Sequence, residues 1–395
     1  MLGVQAVWAD GFRNPPDTAA ALGKAGNNIV WGDDPSVLFY NPANLVYVPA
    51  REAQISALTG YSHADYSGIL GNSETERPWL LVPAFALAWP FKVKDEELSF
   101  GFGIHVPYGR QTRWDSSGPL RYVAPVYTKM TVTDFTPAIA WRITDSISVG
   151  AGLDMYYGQL QFRQMLPFSP DSRVTADADG YAVGGNIGIT WQMTSSQRLS
   201  LTYRSPFDLT FNGDMKTTDI PFPAVASSDV DTSFSFPTIV ALGYGIQITD
   251  TVRLEADVEW LQFSRYKTMV IDAGQNNALI SMMGLSSTAQ NWDDTWTFGL
   301  GPEWKFAPDW TLRAGYLYLQ SPIPDSTFAP SALDVDQSLV SVGLGYKIGR
   351  HTFDIAYALG IFNKRRVGAN QNPAYENGSY EFQGHLAALS YTYAF

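Results

Sequence analysis

Val252-Arg253-Leu254-Glu255-Ala256-Asp257-Val258-Glu259-Trp260 is the stretch on which the fold turns. Val252, Leu254, Ala256, Val258 and Trp260 alternate with Arg253, Glu255, Asp257 and Glu259. Successive side chains of a strand point to opposite sides, so this segment makes a strand with one greasy face and one charged face. In a soluble sandwich those faces would meet core and solvent. In a membrane barrel they would meet lipid and a wet lumen.

The same alternation recurs along the chain. Ile147, Val149, Ala151, Leu153 and Met155 are interleaved with Ser148, Gly150, Gly152 and Asp154. Val340, Val342, Leu344, Tyr346 and Ile348 are interleaved with Ser341, Gly343, Gly345 and Lys347. Small residues on the second face leave room inside a barrel. The connections are tight at Thr144-Asp145, Thr194-Ser195-Ser196, Thr249-Asp250, Pro308-Asp309 and Gly349-Arg350. They are long and polar at 161–179, 213–232, 265–293, 320–335 and 364–379. Strict short-long alternation is the mark of an up-and-down barrel with short periplasmic turns and long external loops. The fold class expected is all-β: a transmembrane antiparallel barrel of about fourteen strands, an even number as in bacterial barrels.

Composition agrees. Charged residues make up 16% of the 395 residues, against roughly 25% in a soluble domain. The 12 Trp and 21 Tyr suit an interface with lipid headgroups. The longest apolar run, Leu80 to Phe91, is broken by Pro83 and Pro90 and is too short for a membrane-spanning helix. A net charge of −12 argues against nucleic acid as a partner. The absence of cysteine excludes disulfides, thiolate catalysis and cysteine-based zinc sites.

Residues 1–9 (MLGVQAVWA) have the look of a signal-peptide remnant. Residues 10–48 do not alternate. Asp17 is placed to cap a short helix through Thr18–Leu22, stopped by Gly23 or Gly26, and Pro15, Pro16, Pro35 and Pro42 punctuate the rest. Such a stretch, rich in Gly and Ala, is expected to form a hatch packed inside a barrel made by 49–395. The barrel ends on Leu389, Tyr391, Tyr393 and Phe395, an outward stripe of the kind that barrel assembly machinery reads.

The chain resembles the FadL/TodX family of outer-membrane transporters for fatty acids and hydrocarbons. In the N-terminal part the likeness rests on Asp10-Gly11-Phe12, Ala21-Leu22-Gly23-Lys24-Ala25-Gly26, and Gly32-Asp33-Asp34 running to Asn41-Pro42-Ala43. In the barrel it rests on Phe102 to Gly109 (FGIHVPYG), Leu201-Thr202-Tyr203-Arg204-Ser205, Leu312 to Tyr316, Ser321 to Pro324, and the close from Tyr380 to Phe395. The resemblance implies passive uptake of hydrophobic small molecules through a monomer in the Gram-negative outer membrane, among lipopolysaccharide, with no cofactor. It implies a pocket above the hatch and sideways release where the third strand kinks inward. Asn41, Pro42 and Ala43 should then lie beside that kink. Gly101 and Gly103 weaken strand pairing, His105 lines the gap, and Pro107 removes a ladder donor. Phe12, Val37, Leu38 and Phe39 are expected in the apolar wall near the hatch. The basic residues that hold a carboxylate in fatty-acid members align with Gln159 and Thr288, which favours neutral ligands, although Arg163 or Arg204 could substitute. Leu279, Ile280, Met282, Met283 and Leu285 in the link at 265–293 offer a greasy landing surface.

Enzymatic chemistry is not expected. Of His63, His105, His351 and His385, none is spaced with a second histidine or a carboxylate as a metal site requires. Two other classes stay open at this point: a general diffusion porin, suggested by the charged face of 252–260, and a soluble β-sandwich.

Overall fold

The structure, a computed structural model, describes residues 10–76, 79–221, 224–371 and 377–395. The expected signal-peptide remnant at 1–9 lies outside them. The wall is a closed antiparallel barrel of 14 strands. In chain order they are β1 Glu52–Gly68, β2 Trp79–Val93, β3 Glu96–Arg113, β4 Tyr127–Arg142, β5 Ile147–Met165 and β6 Arg173–Thr194. Then come β7 Gln197–Arg204, resumed at Phe207–Thr218, β8 Ser227–Phe236, resumed at Ile239–Gln247, and β9 Val252–Leu261. The ring is completed by β10 Thr295–Ala307, β11 Trp310–Leu319, β12 Gln337–Ile348, β13 His351–Phe362 and β14 Gly378–Ala394. Closure is made by β1, which pairs with β14 from Glu52↔Ala394 to Gly68↔Gly378. Among the described residues no strand is left as the end of an open sheet.

Burial is inverted relative to a soluble protein. Val342, Ile355 and Leu389 are exposed, while Ser148, Asp154, Thr190 and Glu255 are completely buried. In the deciding stretch Glu255 and Asp257 turn into the lumen and Ala256 turns out. Lipid supplies the solvent for the apolar face, so the side chains that a soluble fold would hide are displayed. No helix among the described residues is long and apolar enough to cross a membrane.

The tight turns fall where expected, but two of the long links are shorter than the sequence implied. The β5–β6 hairpin continues to Met165 and resumes at Arg173, and β7 and β8 run on to Thr218 and from Ser227. Above the membrane both strand faces meet water or protein, so Gln161, Arg163, Gln164, Asp177 and Asp179 carry no apolar alternation that would reveal a strand.

Residues 10–48 touch the inner wall. They hold one short helix, Ala19–Gly23, and two 3-10 turns, Pro35–Phe39 and Pro42–Tyr47. Wall glycines admit the backbone. A Cβ at Gly343 of β12 would lie 2.8 Å from the Gly23 Cα, and one at Gly315 of β11 would lie 2.2 Å from the Lys24 carbonyl carbon. A Cβ at Gly150 of β5 would lie 2.4 Å from the Ala43 nitrogen. The helix cap differs from expectation. Thr18 caps it, accepting from the Ala21 N–H at 3.4 Å, because Asp17 is drawn to a histidine of the wall.

Candidate functional site

The third strand leaves the wall. β2 and β3 pair from Val93↔Glu96 up to Phe85↔Ile104. Above that, Trp79 to Ala84 pair only with β1, and no described residue of β2 meets β3. Contact resumes at the bridge Thr75↔Trp114 and the Glu76 N–H to Arg113 carbonyl bond of 2.9 Å, in the register that held below. So β3 has neither slipped nor ended; it bows inward over 105–112 and returns. On its other side a bulge sets Val106 and Pro107 against one residue of β4, between His105↔Asp134 and Tyr108↔Val132. Prolines sit on both edges of the opening, Pro83 on β2 and Pro107 on β3, where a missing N–H leaves nothing unsatisfied.

The N-terminal strap, residues 10–14, takes up the freed backbone groups, as buried polar groups require. Gly109 N–H donates to the Phe12 carbonyl at 2.8 Å, Asn14 N–H to Pro107 at 2.9 Å, and the Asn14 amide to Val106 at 2.7 Å. Gly11 N–H donates to Asp334 Oδ2 at 2.8 Å, and Arg110 donates to the Gly11 carbonyl. Two carboxyls at the strap are strongly buried. Asp10 is pushed up to about 7 by burial, against the attraction of Arg13. Asp334 is likewise pushed up to about 7 by burial, against Arg110 and the Gly11 N–H.

Two cavities lie on either side of this strap. The upper one, about 140 Å³, is lined almost wholly by apolar groups, among them Phe12, Met130, Leu160, Phe211, Tyr266 and Trp292. The lower one, about 120 Å³, is mixed, and Phe39, Pro42, His105, Pro107, Tyr108 and Arg204 line it. Phe12 lines the upper one, 3% exposed and set among Trp292, Phe236 and Tyr266 at centroid distances of 4.5, 5.3 and 5.4 Å, while its neighbours Arg13 and Asn14 line the lower one.

Below the bulge an ionic cluster ties segment to wall. His105 Nδ1 lies 2.9 Å from Asp17 and Nε2 lies 3.3 Å from Asp134, and Phe39 stacks on the ring at 4.0 Å. Arg204 bridges Asp134 and Asp154 at 3.3 and 3.1 Å. Further round, Lys24 meets Glu255 at 3.2 Å.

The expected site residues divide accordingly. Gly101 and Gly103 face inward, where a Cβ would strike Leu45 at 2.7 Å and Phe39 at 2.4 Å. They serve close packing of the segment, and the expected weakening of the ladder is absent there: both are paired on either side, with β2 and with β4. His105 and Pro107 are at the bulge. Of Val37, Leu38 and Phe39, only Phe39 reaches a cavity; the other two pack on Ala84, Ala86 and Ala138 of the wall. Of Asn41-Pro42-Ala43, Pro42 shares the lower cavity with His105 and Pro107, but the tripeptide's main packing is elsewhere. It lies against β5 and β6, where Gly150 and Gly188 leave room and the Asn41 amide donates to Thr190 at 3.0 Å. Gln159 is outside the cavity altogether: strand alternation turns it outward, beside the Tyr157 hydroxyl, and gives the inward place to Leu160. Thr288 is buried and accepts from Gln290 at 3.2 Å. Ile280 and Leu285 line the upper cavity, Leu279 is buried behind them, Met283 packs beside that cluster, and Met282 is 58% exposed.

Sequence reasoning missed the cations that border the upper cavity, Arg110 and Lys129. Arg163 is exposed instead, and Arg204 is committed to its carboxylates. It also missed a cluster. His63, Asp65 and Glu74 bring ligand atoms within 4.8 Å of one another, although no histidine was expected to be spaced with a second histidine or a carboxylate as a metal site requires. A strand places residues two apart on one face and adds a cross-strand partner, a spacing that helix-based and knuckle-based metal patterns do not describe.

A family model described as outer membrane protein transport protein (OMPP1/FadL/TodX) matches residues 1–395. The long-chain fatty acid transport protein of Escherichia coli O6:H1 is 23% identical, over 98% of this chain and 95% of that protein. Among solved structures, a Pseudomonas aeruginosa FadL homologue superposes with a TM-score of 0.85 at 21% identity, covering 98% of this chain and all of its own. The Pseudomonas putida toluene transporter TodX gives 0.74 at 16% identity, covering 98% and 100%.

Proposed function

Because the chain belongs to the outer membrane protein transport family (OMPP1/FadL/TodX), whose members carry hydrophobic compounds across the outer membrane and are not enzymes, we propose a specific path for its cargo. A hydrophobic molecule settles in the upper cavity, passes the strap when Phe12 swings aside, and leaves sideways between β2 and β3 into the bilayer. Residues 10–48 act as the hatch that closes the direct route, and one chain suffices. The interrupted β2–β3 ladder carries this proposal, since it is the opening in the wall that faces the strap. Lateral exit keeps an apolar cargo out of water, where exposed apolar surface costs about 25 cal/mol per Å². No energy source is needed, because the cargo runs down its own gradient.

The cavity size favours one aromatic ring or a short run of methylenes. At about 140 Å³ it resembles the engineered apolar cavity of about 150 Å³ that takes benzene. A longer acyl chain with an acidic head group comes second. Uptake of labelled toluene and of oleate by cells lacking other hydrophobic-compound transporters tests both. Expression of this chain should raise toluene uptake more than oleate uptake, with little steady conductance in a planar bilayer. A large open conductance with no effect on either compound would instead mark a hydrophilic porin.

A further inference from the structure

We propose that His63, Asp65 and Glu74 form a binding site for a divalent transition-metal ion of the zinc class, on the outer surface of the barrel at the head of the β2–β3 gap. Ala64 and Tyr66 point into the aromatic core, so His63 and Asp65 take the other face of β1, where His63 is 2% exposed and Asp65 is open to solvent. Glu74 belongs to the short strand Gly71–Glu74 and is the direct cross-strand partner of Asp65. Backbone pairing therefore fixes all three ligands on one patch.

The distances suit a metal. His63 Nε2 lies 3.2 Å from Asp65 Oδ1 and 3.6 Å from Glu74 Oε2. Four ligands at the usual zinc bond lengths, about 2.0–2.2 Å and tetrahedral, stand about 3.4 Å from one another. The histidine is also set up for the task. Its Nδ1 lies 3.1 Å from the Thr75 carbonyl oxygen, which only accepts, so Nδ1 carries a proton and Nε2 is turned to the carboxylates. A backbone carbonyl on the far nitrogen is the usual outer-shell partner of a ligating histidine.

Two carboxylates face each other in register here, with exposures of 50% and 63%, and a dication would clamp them together. Imidazole nitrogen selects the zinc class over magnesium and calcium, which prefer all-oxygen sites. With three protein ligands, one position stays open for water. Thr75 and Glu76, next in the chain, make the contacts to Trp114 and Arg113 that close the top of the gap. The ion would fasten that lintel to β1, and the site stands whether or not the gap is the exit.

The same geometry with a protonated His63 would be a plain ion pair, so the experiment must separate the two. The full-length chain without a histidine tag, stripped of metal in detergent, is titrated with Zn²⁺ by calorimetry and with Co²⁺ by visible absorbance. The expected result is one Zn²⁺ per chain, a tetrahedral Co²⁺ spectrum, and no displacement by excess Mg²⁺. His63→Ala should abolish this binding, and the exposed Glu74→Gln, which leaves the core untouched, should weaken it at least about tenfold. No zinc uptake, or uptake that both variants leave unchanged, overturns the proposal in favour of the ion pair.

Discussion

Truncating Phe12 to alanine separates a gate from a wall. The ring is almost fully buried among Trp292, Phe236 and Tyr266, and Phe→Ala in such a setting costs about 3–5 kcal/mol. The strap is also held by its hydrogen bonds with Gly109, Pro107, Val106 and Asp334 and by the one it accepts from Arg110. At about 0.5–1.5 kcal/mol apiece those five contribute about 2.5–7.5 kcal/mol, so the ring supplies a large share of the total. Losing about 3 kcal/mol, at about 1.4 kcal/mol per tenfold, shifts the balance between seated and released strap by about a hundredfold. Hydrogen exchange at matched pH should then show the Asn14 and Gly109 amides opening faster by about that factor. Initial uptake of a hydrophobic compound at limiting concentration should rise with it. If those amides exchange at the parent rate while uptake falls, Phe12 is only a surface the ligand rests on, and the path does not cross the strap.

Other consequences are as direct. Asp10 and Asp334 titrate at about 7 instead of the ordinary 3.8, so the folded strap keeps protons that an unfolded chain has already lost. Their contribution is therefore fully present at low pH and declines as pH rises from about 4 through about 7. Hydroxyl-radical labelling of Phe12 should increase between pH 5.5 and 7.5, and Asp10→Asn with Asp334→Asn should flatten the change. Gly150→Leu puts a side chain where the Ala43 backbone already sits, 2.4 Å away; it should dislodge the 3-10 turn Pro42–Tyr47 and raise single-channel conductance in planar bilayers. Lys24→Ala leaves Glu255 buried without its cation; the N-terminal segment should lose about 3–5 kcal/mol, read as a separate early transition in urea.

The wall was legible because lipid on one side and protein on the other impose a strict two-residue period, as at 252–260. The tight turns were legible because few residues make them. Small residues such as Gly150, Gly315 and Gly343 foretold space inside, and the N-terminal backbone contacts them. What stayed hidden depends on which distant segments meet. Phe12, Met130, Leu160, Phe211 and Trp292 come from five places in the chain, and no local pattern joins them into one cavity. Gln159 was misassigned by a single position, which in a strand exchanges inside for outside. Asp17 looked like a helix cap because caps are local, whereas its partner His105 is 88 residues away. The placement of Asn41-Pro42-Ala43 against β5 and β6 was likewise set by glycines far along the chain.

Deleting Pro107 tests the sideways path most directly. The deletion removes the extra residue of the bulge and lets β3 run straight beside β4, at the cost of a one-residue shift against Thr75 and Glu76. The barrel should still assemble in outer membranes and still bind a hydrophobic probe in its upper cavity, yet uptake by whole cells should drop to the level of cells without the protein. Uptake at the parent rate in a variant whose β2–β3 ladder is shown to be continuous would mean that the cargo leaves by another way.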